Sequence, residues 1–401
     1  MLDAYIYDGL RSPFGRHAGK LAGVRPDDLA AEVIAAVVRK AGVKPQEISD
    51  VLLGNVNQAG EDCRNVARFA ALLAGLPPTT SAATVNRLCA SGLQATLDAA
   101  RAITCGEGEL YITGGVESMS RAPYVIGKSE TPYSRDVKMY DTSIGARFTN
   151  PRFAKQYGNH SMPETGDNVA KDFGVSRAQA DEFALDSQLK YVKAEKDGFY
   201  KGEILPIALP TRKKDAAPVI VDVDEHPRRD TSMESLARLK PLFEGGVVTA
   251  GNASGVNDGA AAMVVASRKW GEKNGKKPMV RILAGAAAAV EPRIMGVGPA
   301  YAIPLACERA GLKLADLDII EINEAFASQV LACLVLMKID FKDARVNPNG
   351  GAIAIGHPLG ASGARLILTV ARQLERMHGR YAAVSLCIGV GQGLAVIIER
   401  M

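Results

Sequence analysis

Ala41-Gly42-Val43-Lys44, followed by Asp50-Val51-Leu52-Leu53-Gly54-Asn55, is echoed by Ala310-Gly311-Leu312-Lys313, followed by Asp318-Ile319-Ile320-Glu321-Ile322-Asn323. In each copy a glycine suited to ending a helix leads into a short apolar run, the pattern of a helix returning into a buried strand. Val85-Asn86 and Val346-Asn347 extend the likeness, while the offset drifts from 269 residues (41 to 310) to 261 (85 to 346). A drifting offset marks a two-fold duplication with insertions, not a short-period solenoid. The alternative, that any two βαβ units look alike, stays open on these residues alone.

Working outward, Ala4–Tyr7, Val51–Gly54, Ala83–Asn86 and Leu110–Thr113 read as short strands. Helical patterns lie between them, such as Asp28–Lys40, opened by acids and ending near Gly42. This alternation predicts an α/β fold with parallel strands covered on both faces. The middle, roughly Arg121 to Val248, is richer in charge, proline and tyrosine. It contains Lys213-Lys214-Asp215, the run Asp224-Glu225-His226-Pro227-Arg228-Arg229-Asp230, and a helical stretch Ser176–Lys196. An insertion of that length between scaffold elements is expected to carry binding function. The expected division is an N-terminal core over 1–120 completed by 249–272, a loop domain over 121–248, and a C-terminal core over 273–401.

Composition narrows the function. The 401 residues are 47% hydrophobic and 23% charged, ordinary for a globular chain with two or three domains. Forty-eight Lys and Arg against 44 Asp and Glu leave a net charge of +4, which makes no electrostatic case for nucleic acid or a membrane surface. Six cysteines without a CxxC pair, and five histidines without an HExxH, predict neither a disulfide framework nor a metal site. Met1-Leu2-Asp3-Ala4-Tyr5 does not read as a secretory leader, and Ile398-Glu399-Arg400-Met401 carries no targeting address. A reduced cytoplasm is the expected compartment.

Four constellations carry chemistry. In Asn86-Arg87-Leu88-Cys89-Ala90-Ser91-Gly92, a cysteine falls between a strand and the helix-like run Leu93–Ile103. There helix amides and the dipole favour a thiolate; the alternative is a buried structural cysteine. In Asn347–Arg365, His357 stands among glycines and before a proline; the run fits neither GxxxxGK[ST] nor GxGxxG, so a phosphate cradle is a weak reading. Ser385-Leu386-Cys387-Ile388-Gly389-Val390-Gly391-Gln392-Gly393 sets a second cysteine at a strand end. Asn323-Glu324-Ala325-Phe326 follows the strand Asp318–Ile322. If the halves pack as a pair, strand ends from both converge, where open α/β sheets place ligands.

Taken together, the chain resembles the thiolases, the 3-oxoacyl-CoA acetyltransferases. The likeness rests on Asn86–Gly92, Gly114-Gly115-Val116-Glu117-Ser118-Met119-Ser120, Asn252-Ala253-Ser254-Gly255-Val256-Asn257-Asp258-Gly259-Ala260, Asn323–Phe326, Gly350–Arg365 and Cys387–Gly393, in the family's order and across nearly the whole chain. The resemblance implies the thiolase fold, two duplicated α/β cores in five αβαβα layers with a loop domain inserted in the first. It implies Cys89 as the acylated nucleophile, His357 as its base and Cys387 as a second acid/base. Asn323 would hold a water in one oxyanion hole, and the amides of Gly389 and Cys89 would form the other. Ser254 would touch the pantetheine arm and Arg228 the adenine and its phosphate, with coenzyme A as substrate and no tightly bound cofactor. A homodimer or homotetramer is implied, the latter with Tyr124–Tyr140 as the candidate contact loop.

Gln58–Arg68 and Met162-Pro163-Glu164-Thr165 look closest to the members that cleave 3-oxoadipyl-CoA in aromatic catabolism. Acetoacetyl-CoA or a medium-chain 3-oxoacyl-CoA is the alternative substrate. Many acetoacetyl-CoA thiolases have a histidine directly before the methionine matching Met162. Here Ser161 stands there and His160 is displaced by one, so no pocket role passes to His160. A non-catalytic lipid-binding relative would not need both cysteines, His357 and Asn323. A nicotinamide oxidoreductase would need a GxGxxG after the first strand, which is missing.

Overall fold

The computed structural model describes residues 1–209 and 217–401. Lys213-Lys214-Asp215 lies outside the described residues. Nine main strands are β1 Ala4–Arg11, β2 Asp50–Gly54, β3 Ser81–Val85, β4 Leu110–Ser118, β5 Asn257–Ala266, β6 Val280–Ala289, β7 Ile319–Ile322, β8 Tyr381–Ile388 and β9 Gln392–Arg400. They hydrogen-bond in the order β7-β8-β9-β6-β1-β5-β4-β2-β3, with Gly15–Arg16 paired to β5. The two halves of this sheet meet where Ala4–Ile6 of β1 pairs with Val280–Ile282 of β6.

Eight helices matter here: α1 Pro26–Ala41, α2 Val66–Leu73, α3 Ser91–Cys105, α4 Met162–Phe173, α5 Arg177–Lys196, α6 Gly298–Ala310, α7 Ala327–Met337 and α8 Leu359–Met377. The apolar faces of α1 and α2 close over β2, β4 and β5, burying Leu29, Val33, Val37, Ala67, Val51 and Ile112. On the other flank, α6 and α7 cover β7, β8 and β9 through Ile303, Val330, Leu334, Ile320 and Ile397. Between the halves lie α3 and α8, whose Leu93, Leu97, Leu366 and Ile367 are buried among strand residues of both. The result is the expected five layers, α–β–α–β–α.

The duplication is visible element by element. Val85 pairs in parallel with Gly54, and Val346 forms an isolated parallel bridge to Ile320. Gly42 ends α1 and Gly311 ends α6, both left-handed with φ near 62° and 71°, where a side chain would be strained. The helix expected over Ser176–Lys196 is α5, with Ser176 as its N-cap accepting from the Gln179 amide.

One expectation holds in part. β2–β3, β2–β4 and β7–β8 are parallel, so three of the four strands read from the sequence pair as expected, while the pairings of β1 and the other strand pairings among the described residues are antiparallel. The reason at one end is local: β8 and β9 are joined by the short turn Gly389–Gly391, and strands joined that tightly must run antiparallel. The glycines around His357 also prove to be packing, not a phosphate cradle. At Gly115 a Cβ would collide with the Gly360 carbonyl, and at Gly363 with the Leu93 amide, so α8 lies backbone to backbone on β4 and α3.

Candidate active site

The Cys89 turn is built by its own polar residues. Asn86 accepts from the Leu88 amide at 2.9 Å through Oδ1 and donates through Nδ2 to the Val56 carbonyl at 3.1 Å. Leu88 takes φ of 45°, and Ser91 Oγ accepts from the Arg87 amide at 2.9 Å while donating to the Leu88 carbonyl at 2.6 Å. Cys89 thus sits in a tight, left-handed turn two residues before α3. The amides of Gly389 and Cys89 itself point at its sulfur and pull its pKa down, as expected for a helix entrance. Burial outweighs them, aided by the Glu117 charge, and the thiol is pushed up to about 11. Burial thus opposes the thiolate that the helix entrance favours, and on balance the thiol form is preferred.

His357 is buried and held on three sides. Its amide donates to Asn257 Oδ1 at 2.9 Å, Nδ1 lies 2.6 Å from Ser362 Oγ, and Nε2 lies 3.4 Å from Asn323 Nδ2. Ser362 Oγ is 2.9 Å from the Pro358 carbonyl, an acceptor only, so the hydroxyl donates there and accepts from Nδ1–H. That network assigns the Nδ1–H tautomer and leaves the Nε2 lone pair facing the site. Burial, with the Arg365 charge, lowers the imidazole pKa to about 3, so the ring rests neutral. Among the described residues the ring partners of His357 are Ser362 and Asn323, not Cys89.

Cys387 ends β8 and is almost fully buried with Val248, Met295, Ala325 and Phe326, against partly buried Met162 and Ala253. Burial pushes its thiol well above the ordinary range, and a thiolate formed on Cys89 would push it further. Asn323 is buried, its amide donating to the Ser385 carbonyl at 2.9 Å, and its Oδ1 has no protein partner. Ser254 is brought alongside, its amide donating to the Ala325 carbonyl at 2.9 Å.

The structure therefore gathers Cys89, Gly389, Cys387, His357, Asn323 and Ser254. Arg228 stands apart, its side chain exposed and its amide donating to Gln188 Oε1 at 3.0 Å. Burial, with the Arg228 charge, lowers the His226 pKa to about 4, beside Gly255. His160 is exposed and folded onto Gly158, outside the cluster.

Sequence reasoning passed over three supporting residues. Ser362 fixes the His357 ring and Asn257 its backbone. Glu117 accepts from the amides of Val56, Asn57 and Gly360 at 3.0, 3.0 and 2.9 Å, tying the Asn57 loop to the start of α8. Burial raises its carboxyl to about 7 against the pull of those amides. All three lie inside the motifs quoted above; what hid them is that each acts on backbone or on another side chain.

Comparison with known proteins fits this geometry. The family models for the thiolase N-terminal domain and the thiolase C-terminal domain match residues 4–269 and 276–400. A beta-ketoadipyl-CoA thiolase of Acinetobacter baylyi is 53% identical over 403 residues, covering all of both chains. The crystal structure of the Bacillus anthracis acetyl-CoA acetyltransferase superimposes with a TM-score of 0.93 at 38% identity, over 100% of this chain and 99% of that one. Human mitochondrial 3-ketoacyl-CoA thiolase in complex with CoA gives 0.91 at 38% identity, over 100% and 98%. With both family models matched, a relative identical at half its positions, and one fold throughout, the chain belongs to the thiolase family of acyltransferase enzymes.

Proposed function

We propose that the protein cleaves 3-oxoadipyl-CoA with CoA, giving succinyl-CoA and acetyl-CoA through an acyl-Cys89 intermediate. The observation that carries the reaction class is the convergence of the half-buried Cys89, the buried Cys387, the Gly389 amide and the His357–Asn323 pair. The substrate rests on full-length identity to a beta-ketoadipyl-CoA thiolase.

In this reading the Cys89 thiol attacks the 3-keto carbon and its proton passes to Nε2 of His357. The charged ring is then held through Nδ1–H by Ser362. The amides of Gly389 and Cys89 hold the oxyanion on the tetrahedral carbon. The C2–C3 bond breaks, leaving succinyl on Cys89 and the enolate of acetyl-CoA. That enolate oxygen is stabilised by His357 and a water on Asn323, and its carbon is protonated by Cys387. Incoming CoA gives its thiol proton to Cys387 and attacks the acyl-Cys89, which restores the Cys89 thiol through His357. Ser254 and Arg228 serve CoA, one at the pantetheine arm and the other at the phosphate. Direction is set by metabolite levels, since the enzyme lowers the barrier equally both ways.

The halves 1–120 with 249–272 and 273–401 supply these residues, and 121–248 covers the CoA. We place the reaction in the cytoplasm, in keeping with six unpaired cysteines. We propose a homodimer or homotetramer. β3 is a sheet edge, beside exposed Phe69, Leu72 and Leu73 of α2, and a second exposed apolar set comprises Tyr124, Ile126, Tyr133 and Met139. Among the described residues no helix is long and apolar enough to cross a membrane. Side-by-side kcat/KM values for 3-oxoadipyl-CoA and acetoacetyl-CoA test the substrate. A clear preference for the former is expected, and equal or reversed values would leave a general short-chain thiolase.

A further inference from the structure

Apolar side chains wall the Cys387 side of the site: Met162, Met295, Val248 and Phe326 pack with it, and Leu88 borders Gly389. An acyl chain ending in a carboxylate would be rejected by such walls unless a cation met its far end. A succinyl group carries that carboxylate only three carbons beyond the thioester carbon, so the cation has to stand close to the Cys89 turn.

Arg87 lies in that turn, and Arg121 and Arg147 bond to Glu61 and Asn57 of the adjoining loop, whose Val56 carbonyl accepts from Asn86 of the turn. Arg121 is committed to Glu61, with NH2 at 2.6 Å from Oε1. Arg87 is tied to Gln392 at 3.1 Å and bridges the Cys89 turn to the turn after Gly389. Arg147 differs from Arg121 in having no acidic partner among the described residues. It is half-buried, and one guanidinium nitrogen donates to the backbone carbonyl of Asn57 at 2.8 Å.

Asn57 links Arg147 to the nucleophile. Its amide is bonded to Glu117, whose charge is felt at Cys89, and the preceding residue, Val56, accepts from Asn86, three residues before Cys89. The Asn57 side chain also donates to the Thr142 carbonyl at 3.0 Å, so the same residue grips the 142–147 segment at two points. Next to it in the chain, Phe148 packs on Tyr140 with ring centroids 4.8 Å apart. A guanidinium resting on a neutral carbonyl keeps donors for a carboxylate, and its planar fork suits two-point binding.

We propose that Arg147 is a specificity residue that binds the distal carboxylate of the acyl chain. This rests on the 3-oxoadipyl-CoA reading above. The test compares kcat/KM for 3-oxoadipyl-CoA and for 3-oxohexanoyl-CoA, of equal carbon length but neutral, in wild type, Arg147→Gln and Arg147→Lys. Wild type should prefer 3-oxoadipyl-CoA by about ten- to a hundredfold, the worth of one charge-assisted hydrogen bond. Arg147→Gln should lose most of that ratio, chiefly through KM, and Arg147→Lys should recover part of it. A preference unchanged in Arg147→Gln, or both substrates falling in step, would overturn the assignment while leaving the substrate intact. A wild type without any preference would instead sink the substrate reading, and this proposal with it.

Discussion

Ser362 Oγ lies 2.6 Å from Nδ1 of His357 and donates its own proton to the Pro358 carbonyl, so it can only accept from the ring. This one contact decides which nitrogen of His357 is free to act as a base. In Ser362→Ala the ring loses its tautomer lock and the group that steadies its charged form. We expect kcat to fall by about ten- to a hundredfold with little change in KM, the scale of a hydrogen bond to a charged partner. Steady-state kinetics on any accepted 3-oxoacyl-CoA checks this; an unchanged kcat would remove Ser362 from the account.

The two thiols should separate by function. Cys89→Ala is expected to form no acyl-enzyme at all. Cys387→Ala should still be acylated by acetyl-CoA but lose turnover by about a hundred- to ten-thousandfold, the usual worth of a positioned proton carrier. Intact-protein mass spectrometry reads both, and normal acylation of Cys89→Ala would reverse the assignment.

A resting thiol beside a neutral imidazole predicts a distinctive pH dependence. Alkylation of Cys89 by iodoacetamide in the free enzyme should climb about tenfold per pH unit above pH 7 and approach a plateau only near the thiol's pKa of about 11. A plateau below pH 8 would mean a thiolate–imidazolium pair instead. The same burial bears on stability. With a folded pKa of about 3, against an ordinary 6.5, neutral His357 contributes stability that is present above pH 6.5 and lost as pH falls toward 3. Glu117, raised to about 7, has the opposite sign, its contribution being lost as pH rises from 4.5 through 7.

Arg11 anchors the inserted segment to the sheet. From β1 it donates to Glu203 at 2.6 Å and to both oxygens of Asp224 at 2.6 and 2.9 Å, with all three side chains buried. Arg11→Ala would strand two carboxylates without water, and a loss of about 3–5 kcal/mol in unfolding free energy is expected by denaturant titration. Asp224 stands four residues before Arg228, so the KM for CoA should rise as well. A variant as stable as wild type would show the ion pairs to be energetically neutral.

Much of this was legible in the residues. The duplication predicted paired βαβ units, and Val346 beside Ile320 repeats Val85 beside Gly54. The motifs holding Cys89, His357, Cys387 and Asn323 stood out as places for chemistry, but residue type left alternatives open and their roles came from the thiolase resemblance. What stayed hidden has physical causes. β5 and β6 read Asn257-Asp258-Gly259-Ala260-Ala261-Ala262-Met263 and Val280-Arg281-Ile282-Leu283-Ala284-Gly285-Ala286, alanine-rich runs that by propensity do not suggest strands. They are strands because they lie between layers of helices, where small side chains let the helices approach. At Cys89 the helix entrance that favours a thiolate is read from the chain, while the burial that opposes it emerges only when the halves come together around the turn.

The central claim is that Cys89 takes up the acyl part of 3-oxoadipyl-CoA. The direct measurement mixes enzyme with 3-oxoadipyl-CoA in the absence of free CoA, quenches within one turnover, and maps the adduct by peptide mass spectrometry. The account predicts one succinyl group on Cys89, formed together with one equivalent of acetyl-CoA. Acetyl-CoA release without a succinyl group on Cys89, or a succinyl group on any other residue, would contradict it.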